Sequence, residues 1–279
     1  MEERVLRVYI GRAVSYALLL LVALLFVIPV FWMLSGSLKT LGEIYTFPPQ
    51  WIPLHPKFSN YVEAWHAAPF GRYYLNTVIV AFFGTAIEMV DAVLVAYALV
   101  FLRFPGKNLF FLALVAALMV PIHATMIANY ATVSSLGWVN TYQGIIVPGA
   151  ATVVAAFLLR QHFTTIPREL VEAARLDGAG HLRTLWSVLL PVSRPVLVTG
   201  ALITLVGKWN DFLWPLVVTN TSNMRVLSVG LAQLYNQEGQ NQWGVIMAAT
   251  IFVIVPVILV FLRWQKHIVS GLTAGTTKY

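Results

Sequence analysis

Two pairs of titratable side chains sit inside long apolar runs: Glu88 with Asp91, and Lys208 with Asp211. Each pair is spaced i, i+3, so both members share a face wherever the run is helical. Charge in an apolar surround is costly, and normally faces protein or a water-filled cavity. The chemistry open to these residues is ion pairing, proton relay between the carboxylates, or hydrogen bonding along a polar route. Trp209, Asn210 and Trp214 flank the second pair and, with Asp211, offer hydrogen bonds and ring faces suited to a polyol. Structural pairing, or a position near a helix end at an interface, accounts for the same charges.

Other chemistries find little support. The absence of cysteine removes disulfides, thiolate metal sites and cysteine nucleophiles. The six histidines, at 55, 66, 123, 162, 181 and 267, have no metal-ligand spacing, so no metal site is expected. No GxxxxGK[ST] phosphate loop occurs, so ATP and Mg²⁺ are not expected on this chain. No constellation of Ser, His and acid emerges, and no catalytic residue is expected.

The elements that carry these residues follow from composition. Of 279 residues, 59% are hydrophobic and 10% charged, and the mean hydropathy is +0.77. A soluble domain is about 45–50% apolar and about 25% charged, so the solvent for this chain is largely lipid. Helical crossings of about 20 residues fit at about 13–34, 73–102, 108–128, 141–160, 196–218 and 245–264. The first run is too long for a signal-peptide core, and no small-residue cleavage site follows it. Pro48, Pro49, Pro53, Pro56 and Pro69 make residues 39–71 an exposed loop. A loop near His123, Asn129, Ser134, Ser135, Gly137 and Asn140 separates crossings three and four. The expectation is one all-α polytopic membrane domain over residues 1–279.

Orientation follows by counting. Thirteen of the 18 Lys and Arg fall on the side of both termini and the 160–194 block, four fall on the other, and Lys208 lies within crossing five. The positive-inside rule puts both termini and that block in the cytoplasm. The net charge of +7 follows from this topology and needs no nucleic-acid partner.

The 160–194 block contains a short helix by local rules. Thr165 is suited to cap it, Pro167 to open it, Glu169 to its first turn, and Gly178 to stop it in the left-handed conformation. Arg168, Glu172 and Arg175 form one stripe, and Leu170, Ala173 and Ala174 another, where paired alanines admit close approach. A second short helix is expected over about 182–189. The bare physical reading is an interfacial hairpin lying on lipid.

The motif is more specific. Glu172-Ala-Ala174, then Gly178, then Val188-Leu-Leu-Pro191 resembles the EAA motif of permease subunits of ABC importers, with Val188 where Ile is usual. Asp177-Gly-Ala179, Asn140-Thr-Tyr142 with Gly144, Trp209 to Pro215 and the tail Gly271, Leu272, Thr273, Ala274, Gly275 look like its carbohydrate-uptake branch. Phe101 to Pro105, and Glu238-Gly with Trp243, look like the permeases for glycerol phosphate and glycerophosphodiesters.

The resemblance implies a type I importer permease in a bacterial or archaeal cytoplasmic membrane. Its coupling helix would dock on an ATPase subunit through Glu172, Ala173, Ala174, Asp177 and Gly178, with the tail reaching towards the same interface. It further implies two ATPase subunits holding ATP and Mg²⁺, a second permease, and a solute-binding protein outside the cell that meets loop 219–244. Closure of the ATPase pair would switch the permeases from inward to outward access. A self-contained proton-coupled carrier using Glu88 and Asp91 is the alternative, and an intramembrane hydrolase a third.

Overall fold

A computed structural model describes residues 2–151, 153–236 and 242–273, with side chains placed for residues 9–121, 123–151, 153–235 and 242–266. The regular elements among them are helical. In chain order they are α1 (Glu2–Gly36), α2 (Leu41–Ile44), α3 (Ser59–Ala67), α4 (Phe70–Phe101), α5 (Lys107–Ala117), α6 (Ile122–Ser135), α7 (Tyr142–Ile146) and α8 (Val153–Thr165). They continue with α9 (Arg168–Leu176), α10 (His181–Thr184), α11 (Leu190–Val192), α12 (Arg194–Asn210), α13 (Leu213–Val218), α14 (Leu227–Gln233) and α15 (Trp243–Thr273). A π-helical turn, Leu185–Leu189, joins α10 to α11.

Among the described residues three helices are long and apolar enough to cross a membrane, over Tyr9–Gly36, Phe70–Phe101 and Trp243–Lys266. Two bent pairs also qualify: Tyr142–Gly149 with Val153–Thr165, and His181–Val192 with Arg194–Asn210, the latter turning by 84°. Where six crossings are expected, the described residues give three spans, or five with each bent pair counted as one, and the third expected crossing, about 108–128, is divided between α5 and α6.

The breaks have local causes. The run expected as one helix over 108–128 divides at Pro121, which has ψ 131° and no N–H with which to continue α5. The amides of Leu118, Met119 and Val120 instead turn back onto Val115, Ala116 and Ala117 at 3.0–3.2 Å. α6 then runs through His123 and Asn129, so the expected loop begins only after Ser135, with Gly137 at φ 70° and Asn140 at φ 59°. Crossing five, expected over 196–218, is interrupted at Asp211 and Phe212. The Pro215 ring would meet the Asp211 carbonyl in a continuous helix, and the Asp211 carboxylate accepts from the Phe212 and Trp214 amides, capping α13. Pro29 and Pro256, by contrast, lie inside α1 and α15 without ending them.

The chain forms two compact units, residues 1–68 with 231–255, and residues 69–230 with 256–279. In the first, buried Asn60 donates to the Ser37 and Lys39 carbonyls, both at 2.9 Å. The Lys39 ammonium donates to the Gln50 carbonyl and lies 4.1 Å from the Trp32 ring centroid. A Cβ at Gly244 would come within 2.5 Å of the Asn60 amide and 2.9 Å of the Lys39 carbonyl, so glycine is required there. Residues 9–31 of α1 are all exposed, leaving their apolar surface to lipid or another chain.

In the second unit, Ala92 and Ala96 of α4 cluster with Ala155 and Ala156 of α8. Small side chains let helices approach where lipid is the solvent. Leu159, Phe163, Leu185, Leu189 and Val196 complete this core. A second cluster joins Val80, Val133, Ile145, Trp214, Val218 and Val229.

Candidate functional site: the 160–194 segment and the intramembrane charges

α9 is built to present one face. Pro167, with ψ 133°, sets its first turn, and Glu169 lies near the positive end of the dipole. Thr165 does not cap it; the Thr165 hydroxyl turns back to donate to the His162 carbonyl at 2.8 Å, because Pro167 is extended and carries the chain away. At the other end Asp177 N–H donates to Ala173 O at 3.0 Å, Gly178 N–H to Arg175 O at 3.0 Å and Ala179 N–H to Ala174 O at 2.9 Å. Gly178 has φ 76° with open space where a Cβ would stand, so the backbone conformation and not crowding requires glycine.

The two faces of α9 differ sharply. Val171 and Ala174 are buried, and Val171 packs with Ile166, Leu185 and Leu189. The alanine pair is thereby split, since consecutive helical positions lie about 100° apart: Ala174 anchors the helix and Ala173 faces out. Glu172, Ala173, Arg175, Leu176, Asp177 and Gly178 are exposed, Leu176 to 90%. Leu182 and Trp186 add apolar surface at 67% and 66% exposure. Sequence reasoning passed over Leu176 and Trp186, although an apolar side chain on the polar face of so short a helix is a readable signal.

The second half of the segment is tied to α4. Tyr97 Oη and His181 Nδ1 lie 2.7 Å apart. The expected helix over 182–189 is α10 followed by the π-turn, which buries Leu185 and Leu189 while Trp186 and Ser187 point outward.

The intramembrane charges pair between helices. Lys208 Nζ of α12 lies 3.2 Å from Glu88 Oε2 of α4. Thr204, one turn before Lys208, donates to Glu88 Oε1 at 3.2 Å. The Lys208 ammonium also donates to the Gly149 carbonyl, and its stem lies beside Gly84. Asp91 is half-buried and joins no ion pair among the described residues. Trp214 is buried and donates its indole N–H to Gly144 O at 3.0 Å. Trp209 meets Tyr74 edge-on with centroids 6.3 Å apart, and lines an apolar cavity of about 200 Å³ with residues of α4, α12 and α15. Asn210 is exposed at the end of α12.

Around them the chain is pinned by amides. Asn140 Oδ1 accepts from the Asn220 and Thr221 amides at 2.6 and 3.0 Å. Tyr142 donates to Asn76 Oδ1 at 2.8 Å, and Asn76 donates to the Asn223 and Arg225 carbonyls at 2.8 Å. A Cβ on Gly144 would stand 2.1 Å from the Trp138 carbonyl. Of the expected loop 219–244, residues 237–241, Glu238 among them, lie outside the described residues. Of the tail, Gly271, Leu272 and Thr273 end α15, and Ala274 and Gly275 lie outside the described residues.

Residues 90–274 match the family described as "Binding-protein-dependent transport system inner membrane component". The chain is 33% identical over 264 residues to the sn-glycerol-3-phosphate transport system permease protein UgpE of Yersinia pestis bv. Antiqua (strain Antiqua), covering 92% of this chain and 94% of that protein. It is 33% identical over 267 residues to the diacetylchitobiose uptake system permease protein NgcG of Streptomyces coelicolor, covering 95% and 88%. The solved structure of a bacterial ABC transporter involved in the import of the acidic polysaccharide alginate contains a chain that matches with a TM-score of 0.82 at 26% identity, covering 92% of this chain and 96% of that one. The exposed α9 face and the Lys208 end of the ion pair both lie within the matched span, and the chain belongs to the binding-protein-dependent transport system inner membrane components, the permease subunits of ABC importers.

Proposed function

We propose that this chain works as one of two permeases over a pair of ATP-binding subunits that hold ATP and Mg²⁺, with α9 as the part that receives their motion. The observation that carries this reading is the asymmetry of α9: Val171 and Ala174 are sunk into the core, while Glu172, Ala173, Leu176, Asp177 and Gly178 stand clear of the chain. A rigidly rooted helix with an outward apolar residue is suited to docking in a cleft. Ala174 contributes by anchoring, and the tail Gly271 to Gly275 reaches towards the same subunit. This end and both termini face the cytoplasm, in keeping with the positive-inside bias. The exposed stretch 9–31 of α1 is suited to cover by lipid or the second permease.

The outer segment 219–244 meets the solute-binding protein. Glu88, Asp91, Lys208, Trp209, Asn210 and Asp211 border the route taken by the cargo, and Trp214 supports it from the core. The cargo is a sugar, a glycerol phosphate or a glycerophosphodiester. Lys208 is already engaged by Glu88 and the Gly149 carbonyl, which favours an uncharged saccharide over a phosphate. The proton-relay alternative loses its basis, since the family is one of importer subunits and Glu88 is committed to Lys208.

The test is ATP hydrolysis and uptake by the assembled transporter carrying Glu172→Lys or Gly178→Asp. Both variants are expected to assemble and to lose coupled uptake. Undiminished uptake would refute the docking assignment. Calorimetry of the cognate binding protein against neutral sugars and glycerol phosphates tests the cargo, and tighter binding of a glycerol phosphate would overturn the saccharide preference.

A further inference from the structure

The end of the second unit that carries α9 also holds three neighbouring cations. Lys107 opens α5 and turns its ammonium onto the last carbonyls of α4, donating to Val100 O at 3.1 Å and Leu102 O at 3.0 Å. Phe111, one turn along α5, supports the Arg160 guanidinium, whose carbon lies 3.8 Å from the ring centroid. Arg160 Nε is buried with no hydrogen-bond acceptor among the described residues. Arg168 opens α9 close by. None of the three joins an ion pair among the described residues, and the adjacent carboxylate Glu169 is exposed. Burial, and then the charges of Arg160 and Arg168, hold the Lys107 ammonium below its usual lysine range. This concentration of positive charge has no ion-pair partner among the described residues.

An apolar groove begins beside it. A cavity of about 330 Å³ is lined by Leu94, Val95, Ala98 and Leu99 of α4 with Phe104 and Phe110. Its α4 wall extends roughly 8 Å along the helix axis, ending at the turn whose carbonyls Lys107 caps. α5 buries none of its residues, and Leu109, Phe110 and Leu112 are exposed, so this flank faces hydrocarbon. The position is that of a membrane edge, with cations at headgroup level and an apolar trough beneath them.

We propose that Lys107, Arg160 and Arg168 bind the phosphate of an anionic phospholipid whose acyl chain lies along the groove of Leu94, Ala98, Phe104 and Phe110. The phosphate supplies the acceptor that Arg160 Nε lacks, and guanidinium suits phosphate oxygens. Three cations exceed the single charge of a phosphodiester, so a headgroup bearing its own ammonium is disfavoured against phosphatidylglycerol. A docked acidic segment of an ATPase subunit would use the cations but not the groove, and free phosphate would likewise leave the groove unused.

The test is native mass spectrometry of the assembled transporter titrated with phosphatidylglycerol or phosphatidylcholine. The wild type is expected to retain phosphatidylglycerol in preference. Arg160→Gln and Arg168→Gln are each expected to weaken it about fivefold, the usual effect of one basic residue at an anionic surface. Ala98→Trp, which fills the groove and keeps all three cations, is expected to weaken it comparably. Arg103→Gln, at an exposed cation on the same turn, is expected to leave it unchanged and controls for general charge. Because Arg168 is exposed, its variant separates lost binding from lost folding. Equal retention of phosphatidylcholine would overturn the proposal, as would displacement of the lipid by inorganic phosphate with no effect of Ala98→Trp. Lipid retention unchanged in both arginine variants, with loss of the ATPase subunits instead, would mark the cluster as a protein contact and refute it.

Discussion

Lys208 of α12 and Glu88 of α4, 120 positions apart in sequence, meet at 3.2 Å with 17% and 4% of their side chains exposed. Removing one member leaves the other charged and unpaired in an apolar setting, which costs about 3–5 kcal/mol where such pairs are buried. Glu88→Ala or Lys208→Ala is therefore expected to lower the unfolding temperature of the detergent-solubilised transporter markedly. The double variant Glu88→Leu with Lys208→Met is expected to recover most of that loss. A double variant as unstable as the worse single one would contradict the pairing.

Gly178 stands at φ 76° in open space, so substitution is governed by backbone conformation. Gly178→Ala is expected to cost about 1 kcal/mol, and Gly178→Asn less, since asparagine tolerates the left-handed region. Thermal unfolding measures the order, and ATPase coupling is expected to fall in the same order.

Leu176 makes little use of its side chain within this chain, and Ala174 makes full use of a small one. Leu176→Asp is expected to change stability by less than about 0.5 kcal/mol yet to weaken ATPase-subunit association about tenfold or more. Ala174→Leu is expected to do the reverse, destabilising through overpacking. Co-purification with the ATPase subunits, paired with unfolding measurements, separates the two outcomes.

Glu43 closes a capping box with Thr40. The Thr40 amide, then the His55 amide and the His55 and Thr40 side chains, hold its carboxyl below the ordinary 4.5 despite partial burial. A depressed folded-state pKa contributes stability that is present above the unfolded value and lost as pH falls through the folded one. Glu43→Gln is expected to flatten the acid limb of the stability curve below about pH 4.5. Unfolding temperatures between pH 3 and pH 7 measure it, and an unchanged acid limb would refute the assignment.

What could be read in the sequence followed from local rules. α9 and its stop at Gly178 follow from Pro167, Glu169 and Gly178 within a dozen positions, but its buried stripe does not: Leu170 and Ala173, expected on it, are exposed, and Val171 joins Ala174 instead. The breaks at Pro121 and at Asp211 and Phe212 were hidden because hydropathy is continuous across them, and proline alone is ambiguous: Pro29 and Pro256 stay inside helices. The i, i+3 pairs suggested partners within a helix, whereas Glu88 found its partner on another. Such long-range pairing is fixed by which faces of α4 and α12 meet, and no local pattern encodes that. Trp214 looked like a cargo-facing ring because its indole acceptor, a backbone carbonyl at Gly144, leaves no mark in residue types.

The 84° turn before α12 makes that helix a lever. Its arm runs from Arg194 to Lys208, roughly 21 Å. The near end follows the rooted 168–192 segment, and the far end is latched to α4 by Glu88. A displacement of α9 would have two places to go. It would open the angle at buried Ser193, whose N–H is shared between the Leu189 and Leu190 carbonyls at 3.0 and 3.1 Å, or it would strain the latch. The same ion pair thus ties the far end of α12 to α4, so a rotation of α12 about Ser193 would either carry α4 with it or break the pair.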